Sequence, residues 1–234
     1  MKIFTLITAV VLLSTPIAAA PADRTVIGPD GHTLIITRST HDGRPAGTPA
    51  GPGGSNVIFD NIGDAYPLGA YWCCSGVVVS GANAISGFPE YWEAAAFTPQ
   101  SDATISKIVV AMSYVSGENN FTLNLMDDDG GLPGATIASW KIKDLPQYGG
   151  CCVVATKKQL NLPVLAGTQY WLAITTRKKS DAYGAWNRND TDQVNGVNRA
   201  IWCSDPNGGC GAGNNLWSSI NDPPALAFAV YSAN

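Results

Sequence analysis

The cysteines raise the first chemical question in this sequence. Cys73 and Cys74 are adjacent, and so are Cys151 and Cys152. Structural zinc sites and thioredoxin-like redox centres favour a CxxC spacing, which neither pair has. Neighbouring residues of a strand point to opposite faces, so the two members of a pair tend to find different partners. Two vicinal bridges or two sets of cross-links remain open, and we favour cross-links of Cys73 and Cys74 to Cys151 and Cys152.

The last two cysteines favour a local disulfide. Cys203 and Cys210 enclose a turn-rich segment of Ser, Asp, Pro, Asn and Gly, which brings its two ends close together. Disulfides persist in oxidising compartments, so this pattern indicates an exported protein with structural bridges.

Tryptophans in polar segments are the strongest hint of a ligand. Trp186, Trp202 and Trp217 are the rings concerned, and Asn187, Asn189 and Asn215 are the nearby amides. Loop-borne rings beside amides are typical of a carbohydrate platform, where the rings stack on sugars and the amides bond hydroxyl groups. The alternative is that these rings pack over the open end of the fold, since large aromatics are mostly buried.

An acidic run offers a second kind of site. Asp127, Asp128 and Asp129 lie directly before Gly130, and calcium prefers several oxygen ligands gathered at a loop. Asp-Gly is also what a hairpin turn prefers, and this interpretation is favoured. A structural calcium ion at Asp127 and Asp129 is the alternative, and no other cofactor is expected.

The types and positions of the residues give little indication of a catalytic site. The only histidines, His32 and His41, precede the main body of the chain, where neither is placed to serve as the base of a triad. Glycoside hydrolysis needs two facing carboxyl groups. Glu90 and Glu93 are three residues apart in a β-rich segment, so they should point to opposite faces. A non-catalytic role is favoured, and an enzyme is the alternative.

Three segments organise the chain. Residues 1–22 read as a secretory signal peptide, with one lysine, a short apolar run and a small-residue cleavage site. That run is too short to span a bilayer, so no transmembrane segment is expected in the mature chain. Residues 23–55 predict a hairpin followed by a flexible Gly/Pro-rich linker, and residues 56–234 predict one folded domain.

Composition and periodicity predict the fold of that domain. Only 14% of the residues are charged and the formal net charge is −4, which disfavours a nucleic-acid partner because such partners need a basic face. Apolar and polar residues alternate over 119–126, as in a half-buried strand. Short β-rich runs between Gly/Pro turns predict an all-β, antiparallel, jelly-roll-like β-sandwich in a single domain with a flexible N-terminal arm.

Several motifs taken in order resemble a known family. They are VIFDNIG, then AAAFTPQSDATISKIVVAMSYVSGENNFTLNLMDDDGGLPGATIASW, then LAGTQYWLAI, and finally AFAVY. Together they resemble secreted bacterial choice-of-anchor domains of the R type. The resemblance implies an exported β-sandwich and brings no catalytic residues with it.

Three functions follow as hypotheses from different classes. The first is a secreted, non-catalytic extracellular or surface-associated module that binds a polysaccharide or a cell-surface glycan. The second is a polysaccharide-active hydrolase or lyase whose acid and base come from separate aspartate loops. The third is a structural protein of an envelope or matrix.

Overall fold

A computed structural model describes the chain in segments. They are residues 24–27, 33–36, 57–62, 71–85, 89–148, 154–155, 160–189, 198–205, 210, 215–220 and 226–233. These residues form strands and turns, and no helix occurs among them.

Sixteen strands are present in this part of the chain. In order they are β1 (Arg24–Ile27), β2 (Thr33–Ile36), β3 (Val57–Asp60), β4 (Tyr71–Ser80), β5 (Glu90–Phe97), β6 (Ala103–Val110), β7 (Met112–Ser116), β8 (Asn120–Asp129), β9 (Leu132–Lys143), β10 (Val154–Ala155), β11 (Leu162–Val164), β12 (Tyr170–Thr175), β13 (Tyr183–Asn189), β14 (Arg199–Ser204), β15 (Leu216–Ile220) and β16 (Phe228–Ser232).

Two packed sheets confirm the predicted β-sandwich. The smaller sheet has the order β10-β6-β16-β3, with β11 also on β6. The larger sheet has the order β7-β13-β4-β5-β12-β8-β9. Strand β14 pairs with the edge of β5 opposite to β12, and β15 pairs with β14. Every pairing between named strands is antiparallel. The predicted N-terminal hairpin is also present, as β1 paired with β2.

The main core lies between the two sheets. From the larger sheet, β8 supplies Phe121, Leu123 and Leu125, the residues whose alternation predicts a half-buried strand. From the smaller sheet, Ile105 and Phe228 pack against them. Every second residue of β8 therefore faces this core, and the residues between them belong to the opposite, outer face of the larger sheet.

The β8–β9 hairpin closes with a tight turn at Asp129-Gly130, as the acidic run predicts. Gly130 and Gly131 both have positive φ, at 63° and 89°, and the flanking Asp129 and Leu132 are opposite each other. Positive φ at both central residues defines a type I′ turn, whose twist matches that of the strands. The Asp128 carboxylate also accepts a hydrogen bond from the Gly131 amide.

Strand β9 is an edge strand with an irregular ladder. Among the strands described, it pairs only with β8. The register shifts twice, once between the pairs Leu125↔Ala138 and Met126↔Thr136 and again before Asp128↔Pro133. Each shift places an extra residue in β9, as in a β-bulge.

Strand β5 organises the part of the larger sheet that matters for function. It pairs with β12 along one edge and with β14 along the other. Its centre is Ala94, Ala95 and Ala96, all buried, and these small side chains allow close packing on both faces. Residues 93–95 of β5 consequently lie where three strands, β12, β5 and β14, run side by side, and the start of β5 faces β14 along one edge.

Candidate functional site

The two glutamates of β5 lie on opposite faces of the sheet, as predicted. Glu90 shares the outer face with Trp92, two residues along the strand, whereas Glu93 shares the other face with Ala95. The two carboxylates therefore do not form the facing pair that glycoside hydrolysis requires. What β5 presents on its outer face is one carboxylate beside one indole ring.

Three tryptophans align across neighbouring strands on this outer face. Trp202 of β14 is directly opposite Trp92 of β5 and directly opposite Trp217 of β15. Directly opposed residues project from the same face of a sheet. We call Trp92, Trp202 and Trp217 the tryptophan row, and each of its members is half-buried.

The rings of the tryptophan row differ in their packing. Trp92 and Trp202 stack with ring centroids 3.8 Å apart and an angle of 14° between their planes. Trp217 packs against the apolar cluster of the outer face, which includes Ala94, Ala200 and Trp171. The row is therefore fixed to the sheet at both ends, and each ring keeps part of its surface in contact with solvent.

A chain of hydrogen bonds holds the Trp92 indole. Its Nε1 donates to Thr176 Oγ1 at 3.1 Å, and Thr176 Oγ1 donates to Glu90 Oε1 at 3.2 Å. Thr176 directly follows β12, so this chain joins the ends of two paired strands. Burial raises the pKa of Glu90 above its ordinary value, although hydrogen bonds from Thr176 and Trp92 and the nearby charge of Lys178 oppose the shift.

Glu93 forms a buried ion pair on the opposite face. Both of its carboxylate oxygens accept hydrogen bonds from Arg199, from Nε at 3.0 Å and Nη2 at 3.1 Å. The Glu93 side chain is completely buried and that of Arg199 is 5% exposed. Burial raises the pKa of Glu93, while the charge of Arg199 pulls it down. This pair clamps β14, which carries Trp202, onto β5.

The prediction that Trp186 belongs to a carbohydrate platform is wrong. Trp186 lies in β13, between β4 and β7, and is completely buried in the main core. Its Nε1 donates to the carbonyl oxygen of Ala227 at 3.0 Å. The polar residues that follow it in sequence made this segment resemble a loop, whereas it is an internal strand of the sheet.

The prediction for Asn187 is wrong for the same reason. Asn187 is completely buried, and its side-chain oxygen accepts a hydrogen bond from the Ser113 hydroxyl at 3.0 Å. Its backbone amide and carbonyl also bond within the fold, to Ala111 and Ala227. Its side-chain amide therefore forms a hydrogen bond inside the protein and is not accessible to a ligand.

Asn215 and Asn189, the other two asparagines of the predicted carbohydrate platform, are described to different extents. Asn215 is exposed at the start of β15, two residues before Trp217, with a positive φ of 60°. Its backbone amide donates to the Cys203 carbonyl, next to Trp202 in sequence. Asn189 ends β13, and its side chain falls outside the described structure.

The acidic run is used by the hairpin. Asp128 accepts hydrogen bonds from Trp171 Nε1 at 2.8 Å and from Gln169 Nε2. Partial burial raises the pKa of Asp128, but the hydrogen bonds from Trp171, Gly131 and Gln169 outweigh it, so the pKa is lowered overall. Asp127 and Asp129 are exposed on either side of it. Within the described segments, no three His, Cys, Asp or Glu side chains come together as a metal site.

One disulfide is described, and it is the predicted one. Cys203 and Cys210 are bonded, with their Cα atoms 5.7 Å apart. This bridge tethers the end of β14 close to Trp202. The predicted cross-links of Cys73 and Cys74 to Cys151 and Cys152 involve side chains outside the described structure, so they stay predictions.

Two comparisons with known proteins gave no match. A scan against models of protein families found no family for this chain, and a search of curated proteins found no similar protein. The resemblance to choice-of-anchor domains therefore stays a prediction. Among the residues described, none forms a helix long and apolar enough to cross a membrane.

Proposed function

We propose that this protein is a secreted, non-catalytic binding module that recognises a glycan through the tryptophan row. The observation that carries the proposal is the alignment of Trp92, Trp202 and Trp217 on one face of three neighbouring strands. Half-buried indole rings offer flat apolar surface with little conformational freedom left to lose, which suits stacking on the apolar face of a sugar ring.

Polar groups beside the row support the same class of ligand. Ser204 of β14 is directly opposite Glu90, so its half-buried hydroxyl lies beside the stacked rings on the outer face. Asn215 adds an exposed amide near Trp217. A glycan presents apolar ring faces together with many hydroxyl groups, and this mixture of rings and short polar side chains complements both.

Binding is favoured over catalysis because of how the carboxylates are arranged. Glu93 faces away from Glu90 and is neutralised by Arg199. The tryptophan row therefore has one buried carboxylate beside it on β5, which already accepts the Thr176 hydroxyl. A ligand can be held there without a matched acid and base.

Affinity electrophoresis against a panel of neutral and acidic polysaccharides tests the proposal. We expect at least one polysaccharide to retard the wild-type protein without releasing new reducing ends. Trp202→Ala should abolish the retardation, and Trp202→Phe should keep part of it because a flat ring remains. Trp140→Ala is the matched control, since Trp140 is also a half-buried tryptophan of the larger sheet but lies on β9.

Each other outcome has a definite meaning. New reducing ends would replace this proposal with a polysaccharide-active enzyme. Absence of retardation by every polysaccharide would favour a structural protein of an envelope or matrix. Equal loss in Trp202→Ala and Trp140→Ala would show that the tryptophan row is not the binding surface.

Secretion is part of the proposal and has its own test. The sequence of residues 1–22 supports export followed by cleavage after Ala22. Mass spectrometry of the protein recovered from the culture medium should find an N-terminus at Asp23. An intact Met1 on the folded protein would contradict export by this route.

A further inference from the structure

Trp92 of the tryptophan row forms a hydrogen-bond chain with Thr176 and Glu90, and its direction is fixed when Glu90 is ionised. The indole Nε1–H of Trp92 is only a donor, so Thr176 Oγ1 must be its acceptor. The single proton of the Thr176 hydroxyl then remains for Glu90 Oε1, which is 3.2 Å away. An ionised carboxylate only accepts, so the chain ends at Glu90, and all three groups are satisfied at once.

This chain fixes a ring that stacking alone would leave free to slide. Thr176 is buried and Glu90 is buried, so water does not readily replace either partner. The Trp92 ring is gripped at its nitrogen by Thr176 and covered on one face by Trp202 at 3.8 Å. The orientation of the remaining surface of Trp92 is therefore set before any ligand arrives.

We infer that Thr176 and Glu90 are positioning residues of the tryptophan row, acting on a glycan ligand through Trp92. The inference rests on the proposed function and deepens it. Preorganisation raises affinity because the ordering of a side chain does not have to be supplied on binding. Removing the Thr176 hydroxyl should therefore weaken glycan binding without removing any group that touches the sugar.

Thr176→Val is the decisive variant because valine keeps the shape and lacks the hydroxyl. The expected loss of affinity is about threefold to tenfold, the cost of immobilising one side chain on binding. Thr176→Ser should restore affinity, since serine again both accepts and donates. Thr175→Val is the matched control, because it removes a neighbouring hydroxyl that accepts from Asn124 and has no bond to Trp92.

Nuclear magnetic resonance of the free protein gives a readout that needs no glycan. The Nε1–H resonance of Trp92 is assigned by its disappearance in Trp92→Phe. In Thr176→Val this resonance should shift and exchange faster with solvent, whereas Thr175→Val should leave it in place. Thermal melting of all variants checks that each one is folded.

The outcomes separate this inference from the proposed function. An unmoved Trp92 resonance in folded Thr176→Val would overturn the hydrogen-bond chain itself. Unchanged affinity in that variant, while Trp202→Ala loses binding, would overturn positioning and leave the glycan site standing. If the wild-type protein binds no polysaccharide, the proposed function and the role in binding fail together, and the resonance still reports whether Trp92 is held.

Discussion

Glu93→Gln is expected to be among the most damaging conservative changes in this protein. In the wild type, two parallel hydrogen bonds join Glu93 and Arg199, and both side chains are buried. Glutamine offers one acceptor and turns its NH₂ group toward the guanidinium, which has no acceptor to give. The Arg199 charge would then be buried without its main compensation. Breaking a buried pair in this way costs about 3 to 5 kcal/mol of the free energy of unfolding.

Urea unfolding followed by tryptophan fluorescence measures this loss. For a domain of this size, the same change should lower Tm by about 6 to 20 °C. Because the pair clamps β14 to β5, retardation by a glycan should fall along with stability. Replacing both partners, in Glu93→Leu with Arg199→Met, should cost less than the sum of the two single changes, since no charge is left buried.

An exposed ion pair supplies the control for this experiment. Arg177 bonds to Glu118 at the protein surface, where solvent screens the charges. Glu118→Gln should therefore change stability little. If Glu93→Gln is as mild as Glu118→Gln, the buried pair does not clamp β14 to β5.

Three further predictions concern other parts of the fold. Trp186→Ala should lower the free energy of unfolding by about 3 to 5 kcal/mol, because it leaves a cavity in the main core; a loss under 1 kcal/mol in urea titration would contradict its burial. Glu90→Gln should remove part of the decline in stability as pH rises above the ordinary glutamate pKa. The raised pKa of Glu90 means that the folded state holds this proton longer than the unfolded state, so stability is greatest below that pH and declines through the folded pKa; identical pH profiles of Tm would contradict this. Changing both Cys203 and Cys210 to Ser should cost about 2 kcal/mol, since the bridge closes a short loop; an unchanged urea midpoint would contradict a stabilising role.

Local pattern predicted the fold better than it predicted the site. Alternation in β8 and the Gly-Gly turn after Asp129 depend on neighbours in sequence, and both are present as expected. The pairing of Cys203 with Cys210 is likewise local. These features depend on residues that are close together in the chain, so one sequence suffices to predict them.

The errors at Trp186 and Asn187 have a different origin. Their segment looks like a loop because polar residues surround the tryptophan. In the fold, Ser113 and backbone groups of other strands satisfy Asn187 inside the protein. Partners that come from distant parts of the chain cannot be read from the segment itself, so its polarity was mistaken for exposure.

Trp92 was the ring that sequence reasoning passed over. The segment EYWE drew attention to its two carboxyl groups, while the ring between them was left unassigned. The signal was present, because Glu90 and Trp92 share a face in any strand register. What the sequence could not supply was the alignment with Trp202, which depends on the pairing of β5 with a strand over 100 residues later.

The two bulges of β9 have a consequence for the tendency of the protein to aggregate. A straight, unpaired edge of 12 residues would be a template on which the strands of other molecules could add one after another. The extra residues interrupt the regular spacing of amide and carbonyl groups along that edge, and Lys141 and Lys143 at its end resist the approach of another strand. The bulges and the two lysines thus hinder the addition of another molecule's strand to this edge, and so oppose edge-to-edge aggregation.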